Sequence, residues 1–152
     1  MTPGRGAVMS ADRGRRPFAI FPLVLVSLLS MLLAFSHYGN PFPFMGRFYL
    51  GDAAQRFAFA DSLISLYLLI GILKRQQLTV WLLIVYNLLD ICNAWVNLAL
   101  IPAADYARLA AIPIPEGDLR FNTLFASLVL MLLNLYLYLN RRQFDNRSPY
   151  LF

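Results

Sequence analysis

One cysteine and one histidine in 152 residues leave little material for metal or redox chemistry. A lone Cys92 supplies neither a redox pair nor a zinc cluster, and a lone His37 cannot provide bis-histidine haem ligation. Charge is scarce as well, at 14% of residues against about 25% in an average soluble domain. The sequence contains no Gly-rich phosphate loop with its lysine, no G-x-S-x-G elbow and no H-E-x-x-H helix. No cofactor, metal site or catalytic residue is therefore expected. Internal repeats and low-complexity tracts are also missing.

What the chain has in excess is apolar surface. Its hydrophobic fraction is 59%, where roughly 45–50% is usual. A soluble domain of this length buries only about 68–70% of the surface its unfolded chain exposes, so the surplus would face water. Lipid is the solvent that accommodates it. A net charge of +5 could suggest nucleic acid, but the basic residues do not gather on one soluble face. They form short clusters beside apolar runs, the placement that sets membrane topology.

Four stretches approach the roughly 20 apolar residues a helix needs to cross a bilayer: about 18–36, 57–73, 78–101 and 121–139. The runs are continuous, without the two-residue alternation of a transmembrane barrel. The expected fold is an all-α, polytopic four-helix transmembrane bundle over 18–139. It is flanked by a basic disordered tail at 1–17 and a short basic tail at 140–152. Residues Lys74 to Gln77 must join the second and third spans as a tight antiparallel hairpin. Nine Lys and Arg lie in the two tails and this hairpin, against four (Arg47, Arg56, Arg108, Arg120) on the opposite side. The imbalance puts both termini in the cytoplasm, in a bacterial-type cytoplasmic membrane. Arg15-Arg16-Pro17-Phe18 followed by an apolar run also resembles a cleavable, faintly twin-arginine signal, and cleavage would leave three helices. The run exceeds the usual 7–15 residues of a signal, so an uncleaved first helix is expected. Pro22 marks a candidate start for that helix.

The first outer loop, His37 to Arg56, carries aromatics suited to the membrane interface and prolines that prevent a regular helix. The second contains a candidate short helix from Pro102 to Ala111, ended by Pro113-Ile114-Pro115.

At 100° per residue the polar groups of each span fall into stripes. Tyr86, Asp90, Asn93 and Asn97 occupy an arc of about 60°, with Asn87 at its margin and Trp81, Cys92 and Trp95 on the other side. Thr123, Ser127 and Asn134 share about 40°, flanked by Arg120 and Tyr138, and Ser27, Ser30, Ala34 and His37 share about 80°. Asp61 and Ser65 are i, i+4 neighbours on one face. Asn87, Asn134, Ser27 and Ser127 suit packing between helices, at about 0.6 kcal/mol each. Cys92 suits a small buried apolar position, and Gly71 a close helix contact.

Aspartate is different, because an acid at a helix centre costs about 2.5–3.5 kcal/mol on insertion scales. Counted from the ends of the apolar runs, Asp90 lies deepest, below Asn93 and Ser65, with Asp61 shallower by roughly two helical turns, about 10 Å. These positions describe a cavity open to the outside and narrowing to Asp90, with Asn93, Asn97, Tyr86, Asp61 and Ser65 on its walls and His37 and Arg120 at its mouth. Arg120 is the expected basic partner of Asp61. Two functions follow. One is a non-enzymatic accessory, assembly or partner-binding subunit; the other is a small carrier or proton or ion pathway ending at Asp90. The expected partners are the lipid bilayer and either a second copy of the chain or another membrane protein, with no nucleic acid. A membrane aspartyl hydrolase would require Asp61 and Asp90 to share a proton, which the depth count disfavours.

Overall fold

The computed structural model describes residues 17–148. The tail expected over 1–17 thus lies outside the described residues, apart from Pro17. In chain order the elements are α1 (Pro17–Ser36), a hairpin of β1 (Phe42–Phe44) and β2 (Arg47–Tyr49), α2 (Gly51–Leu73), α3 (Gln77–Leu100), α4 (Ala103–Ala110) and α5 (Glu116–Asn140), followed by a 3₁₀ turn at Arg141–Gln143. Three helices are long and apolar enough to cross a membrane: α2, α3 and α5 with its 3₁₀ extension. The apolar stretch Ile20–Ser36 of α1 is shorter.

The helices follow the apolar runs but begin earlier than those runs do. α2 starts at Gly51, on the polar segment Gly-Asp-Ala-Ala-Gln-Arg, with Asp52 in its first turn where the helix dipole favours an acid. α5 likewise begins at Glu116, with Glu116 and Asp118 in the first turn and Pro115 before them. α1 runs through Pro22 rather than starting there. The short helix after Pro102 forms at Ala103–Ala110 and ends where Ala111 turns left-handed.

The main packing pairs are α1 with α2 and α3 with α5, whereas α2 and α3 meet over a shorter stretch. Their contact is tightest beside the connecting loop. There a methyl on Gly71 would overlap Thr79, so glycine is required for the approach. The loop turns through Arg75 at φ 54°. The apolar core lies at this same end, built from Leu23, Leu68, Ile72, Val80, Leu83 and Leu137.

Phe144 completes that core, 3% exposed. The segment after α5 is therefore docked as far as Ser148 rather than trailing as a simple basic tail. Asn146 donates its backbone N–H to Arg75 O (3.1 Å) and accepts from Gln77 N (2.9 Å). Its side chain reaches Lys74 O at 3.2 Å, and the buried Gln76 amide reaches Ser148 O at 3.4 Å. A buried aromatic anchor and the open backbone groups of the loop explain why this segment folds back.

Most large apolar side chains stand outward, among them Leu124, Phe125, Leu128, Leu132 and Leu135 along α5. So large an apolar surface fits contact with lipid and not with water. Cys92 is exposed on α3 and not buried, on the outward side of the helix.

Candidate functional site

The first outer loop forms a β-hairpin, although its strands are only three residues long. Phe42, Pro43 and Phe44 pair with Tyr49, Phe48 and Arg47. The two-residue turn, Met45 at φ 47° and Gly46 at φ 81°, has the double positive φ of a type I′ turn. Methionine is an unusual occupant of that conformation. Two asparagines one turn apart on α3 hold it: Met45 N donates to Asn93 Oδ1 (2.9 Å) and Gly46 N to Asn97 Oδ1 (2.8 Å). Asn97 Nδ2 donates in return to Pro43 O at 3.1 Å, and Asn93 Nδ2 approaches the same oxygen at 3.5 Å. A Cβ at Gly46 would come within 2.5 Å of Leu100, so the turn lies flush on α3. On its other face the hairpin packs Phe42, Phe44 and Tyr49 around Phe57 of α2, with ring centroids 5.7, 5.1 and 4.6 Å apart. Phe48 meets Tyr106 of α4 edge-on at 4.9 Å, and burial pushes the Tyr106 hydroxyl above its ordinary pKa.

Two cavities lie behind this hairpin and share a wall. The larger, about 350 Å³ and partly open, is lined by α1, α2, α3 and α5. Its polar lining comes from Ser27, Ser30 and His37 on the α1 side, Asp61 and Ser65 on α2, and Tyr86, Asn87 and Asp90 on α3. The smaller, about 300 Å³, lies between the hairpin, α2 and α3 and is lined by Phe42, Phe44, Phe57 and Asn93. Asp61, Tyr86 and Asp90 border both.

These three residues meet because the two acids lie at one depth. Asp61 is ten residues in from Gly51 and Asp90 ten residues in from Leu100, roughly 15 Å along each axis. The early start of α2 removes the two-turn separation expected from the apolar runs. The Tyr86 hydroxyl donates to Asp61 Oδ1, and the two carboxyl groups are close enough for their charges to interact. Asp90, half-buried, has no hydrogen bond or ion pair among the described residues.

The remaining expected site residues divide. Ser65 and His37 line the larger cavity, and His37 Nδ1 donates to Leu33 O at 2.7 Å, which fixes the ring at the end of α1. Asn97 belongs to the hairpin, and Asn93 is tied to it while bordering only the smaller cavity. Arg120 does not reach Asp61. It pairs with Glu116 one turn earlier on α5 at 2.5 Å, because the helix begins early enough to place an acid at i−4. The polar arc of α5 is taken up by α3: Asn87 Nδ2 donates to Asn134 Oδ1 (2.7 Å) and Trp95 Nε1 to Ser127 Oγ (3.1 Å). Sequence reasoning missed the hairpin, whose one signal was Met-Gly set between two short aromatic segments. Among the described residues, no group of three or more His, Cys, Asp or Glu could hold a metal ion.

Compared with protein-family models, with curated proteins and with solved structures, the chain matches none. The geometry of the site thus carries the functional reading alone.

Proposed function

We propose that the chain is a small non-enzymatic membrane protein that crosses the bilayer four times and takes up a proton or a cation at Asp90. The single observation that carries this reading is an acid at mid-helix that borders two cavities and has no bonding partner among the described residues. No hydrogen bond or ion pair among the described residues offsets the insertion cost of that acid, about 2.5–3.5 kcal/mol. A bound proton or cation compensates it directly, and the neighbouring Asp61, held by Tyr86, adds attraction for positive charge.

α1 supplies the fourth crossing, since its 20 residues extend about 30 Å. Lys74, Arg75, Arg141, Arg142 and Arg147 all belong to the end where the α2–α3 loop meets the C-terminal segment, which supports cytoplasmic termini in a cell membrane.

The test is the thermal midpoint of the purified full chain in mild detergent, wild type and Asp90→Asn, titrated with monovalent and divalent cations and with pH. A ligand present at 100 times its Kd stabilises by about 2.7 kcal/mol. For a chain of this size that raises the midpoint by roughly 5–11 °C. The shift is expected in the wild type and lost in Asp90→Asn. Flat, superimposable curves would sink the proposal and return the protein to an accessory role.

A further inference from the structure

At the opposite end of the molecule from the hairpin, a third cavity of about 350 Å³ opens between the start of α3 and the end of α5. Arg141, Arg142 and Arg147 line it, together with Gln77 and Trp81. Asp145 is the one acid among its lining residues. Its volume falls within the roughly 300–1,000 Å³ of small-molecule sites.

Arg141 is held in place before any ligand arrives. It donates to Tyr138 O at 2.7 Å, and its guanidinium lies 3.9 Å over the Tyr138 ring. Tyr138 in turn meets Trp81 edge-on at 6.4 Å. Arg142 and Arg147 have no hydrogen bond or ion pair among the described residues, and neither is bridged to Asp145. Three arginines, two of them without acceptors among the described residues, thus line one concave surface that carries a single carboxylate residue.

From this geometry we infer that the pocket binds the phosphate of an anionic phospholipid headgroup. Guanidinium pairs phosphate oxygens in a bidentate fashion. Tryptophan and tyrosine stand at headgroup level where a helix leaves the hydrocarbon, and Trp81 and Tyr138 occupy that level at the ends of α3 and α5. Basic pockets at cytoplasmic helix ends recognise anionic headgroups on this principle. The exposed face of Trp81 on the same wall favours a ligand that brings acyl chains over a free anion. The inference rests on the chain spanning a membrane and is independent of the Asp90 chamber.

The experiment titrates the full chain in detergent with phosphatidylglycerol, phosphatidylcholine or inorganic phosphate and reads the thermal midpoint. Phosphatidylglycerol is expected to stabilise the wild type more than phosphatidylcholine does. The double variant Arg142→Gln/Arg147→Gln should bind it about 25-fold more weakly, from the attraction each arginine exerts at a membrane surface. Asp145→Asn should bind it more tightly, a gain that misfolding cannot produce. Equal responses to the two lipids, or an unchanged response in the double variant, would overturn the inference. So would inorganic phosphate reproducing the full shift, because the site would then serve a free anion. Asp90→Asn should respond to phosphatidylglycerol as the wild type does, which keeps this result separate from the chamber's.

Discussion

Replacing Asn97 by alanine separates two roles that the same residue could have on α3. If its amide, on a side chain only 5% exposed, holds the hairpin, the substitution strips the Gly46 N–H of its partner and leaves the Pro43 carbonyl only the 3.5 Å contact from Asn93. An unsatisfied buried group costs about 1–3 kcal/mol. That loss together with the weakened Pro43 acceptor, about 1 kcal/mol more, should weaken hairpin docking by about 2–4 kcal/mol. Local opening governs amide exchange, so the amides of residues 42–49 should exchange roughly 30-fold to several-hundred-fold faster. Met45 sharpens the effect, because its φ of 47° is tolerated only while the turn is pinned to α3. The assay is hydrogen–deuterium exchange of the full chain in detergent, read on peptides covering the hairpin and, as an internal control, the α2–α3 loop. Exchange over 42–49 that stays within twofold of wild type would refute the reasoning, and a lost cation response in that same variant would make Asn97 a residue of the ion path instead.

Three further substitutions test the packing. Gly71→Ala pushes a methyl into Thr79, and overpacking of about 1–3 kcal/mol exceeds the helix-propensity gain of about 1 kcal/mol at most; the thermal midpoint should fall by a few degrees, and Thr79→Ala in the same chain should restore part of it. Phe144→Ala removes a core aromatic and should destabilise by about 3–5 kcal/mol, with tryptic cleavage at Arg147 accelerating; an unchanged cleavage rate would contradict docking of this segment. Because burial raises the Tyr106 pKa above 10, the unfolded chain loses that proton first, so this contribution to stability is complete below pH 10 and declines as pH rises past it. Tyr106→Phe should flatten the alkaline limb of a midpoint-versus-pH profile.

The helices were legible because long apolar runs leave few alternatives, and Pro102 with Pro113 and Pro115 bracketed α4 from residue chemistry alone. Helix starts were not legible from the same signal. Gly51 to Arg56 is polar, so an apolar run begins at Phe57 although the backbone is helical from Gly51. That six-residue difference misplaced Asp61 by almost two turns and made Arg120 its expected partner in place of Tyr86. Angular stripes had a second limit. They grouped Asn93 and Asn97 with Tyr86 and Asp90 on one face, but a face does not say what it meets. The upper half meets a hairpin, and the lower half borders the cavities.

The hairpin and the chamber are consequences of one arrangement. At the loop end, α2 and α3 are drawn together by the absence of a side chain at Gly71 and by the strand-like contact of Asn146 with Arg75 and Gln77. At the other end, the hairpin stands between the same two helices, with Phe57 of α2 stacked against its rings and Asn93 and Asn97 of α3 tied to its backbone. Two helices clamped at one end and wedged at the other leave volume between them, bordered by Asp61 and Asp90 at equal depth and by Tyr86 one turn deeper. The wedge is also the wall, since Phe42 and Phe44 line the smaller cavity leading to Asp90. A ligand reaching the acid from that side passes along hairpin rings. Loosening the hairpin through Asn97 should accordingly change the rate at which the Asp90 site is reached without removing the carboxylate that binds there.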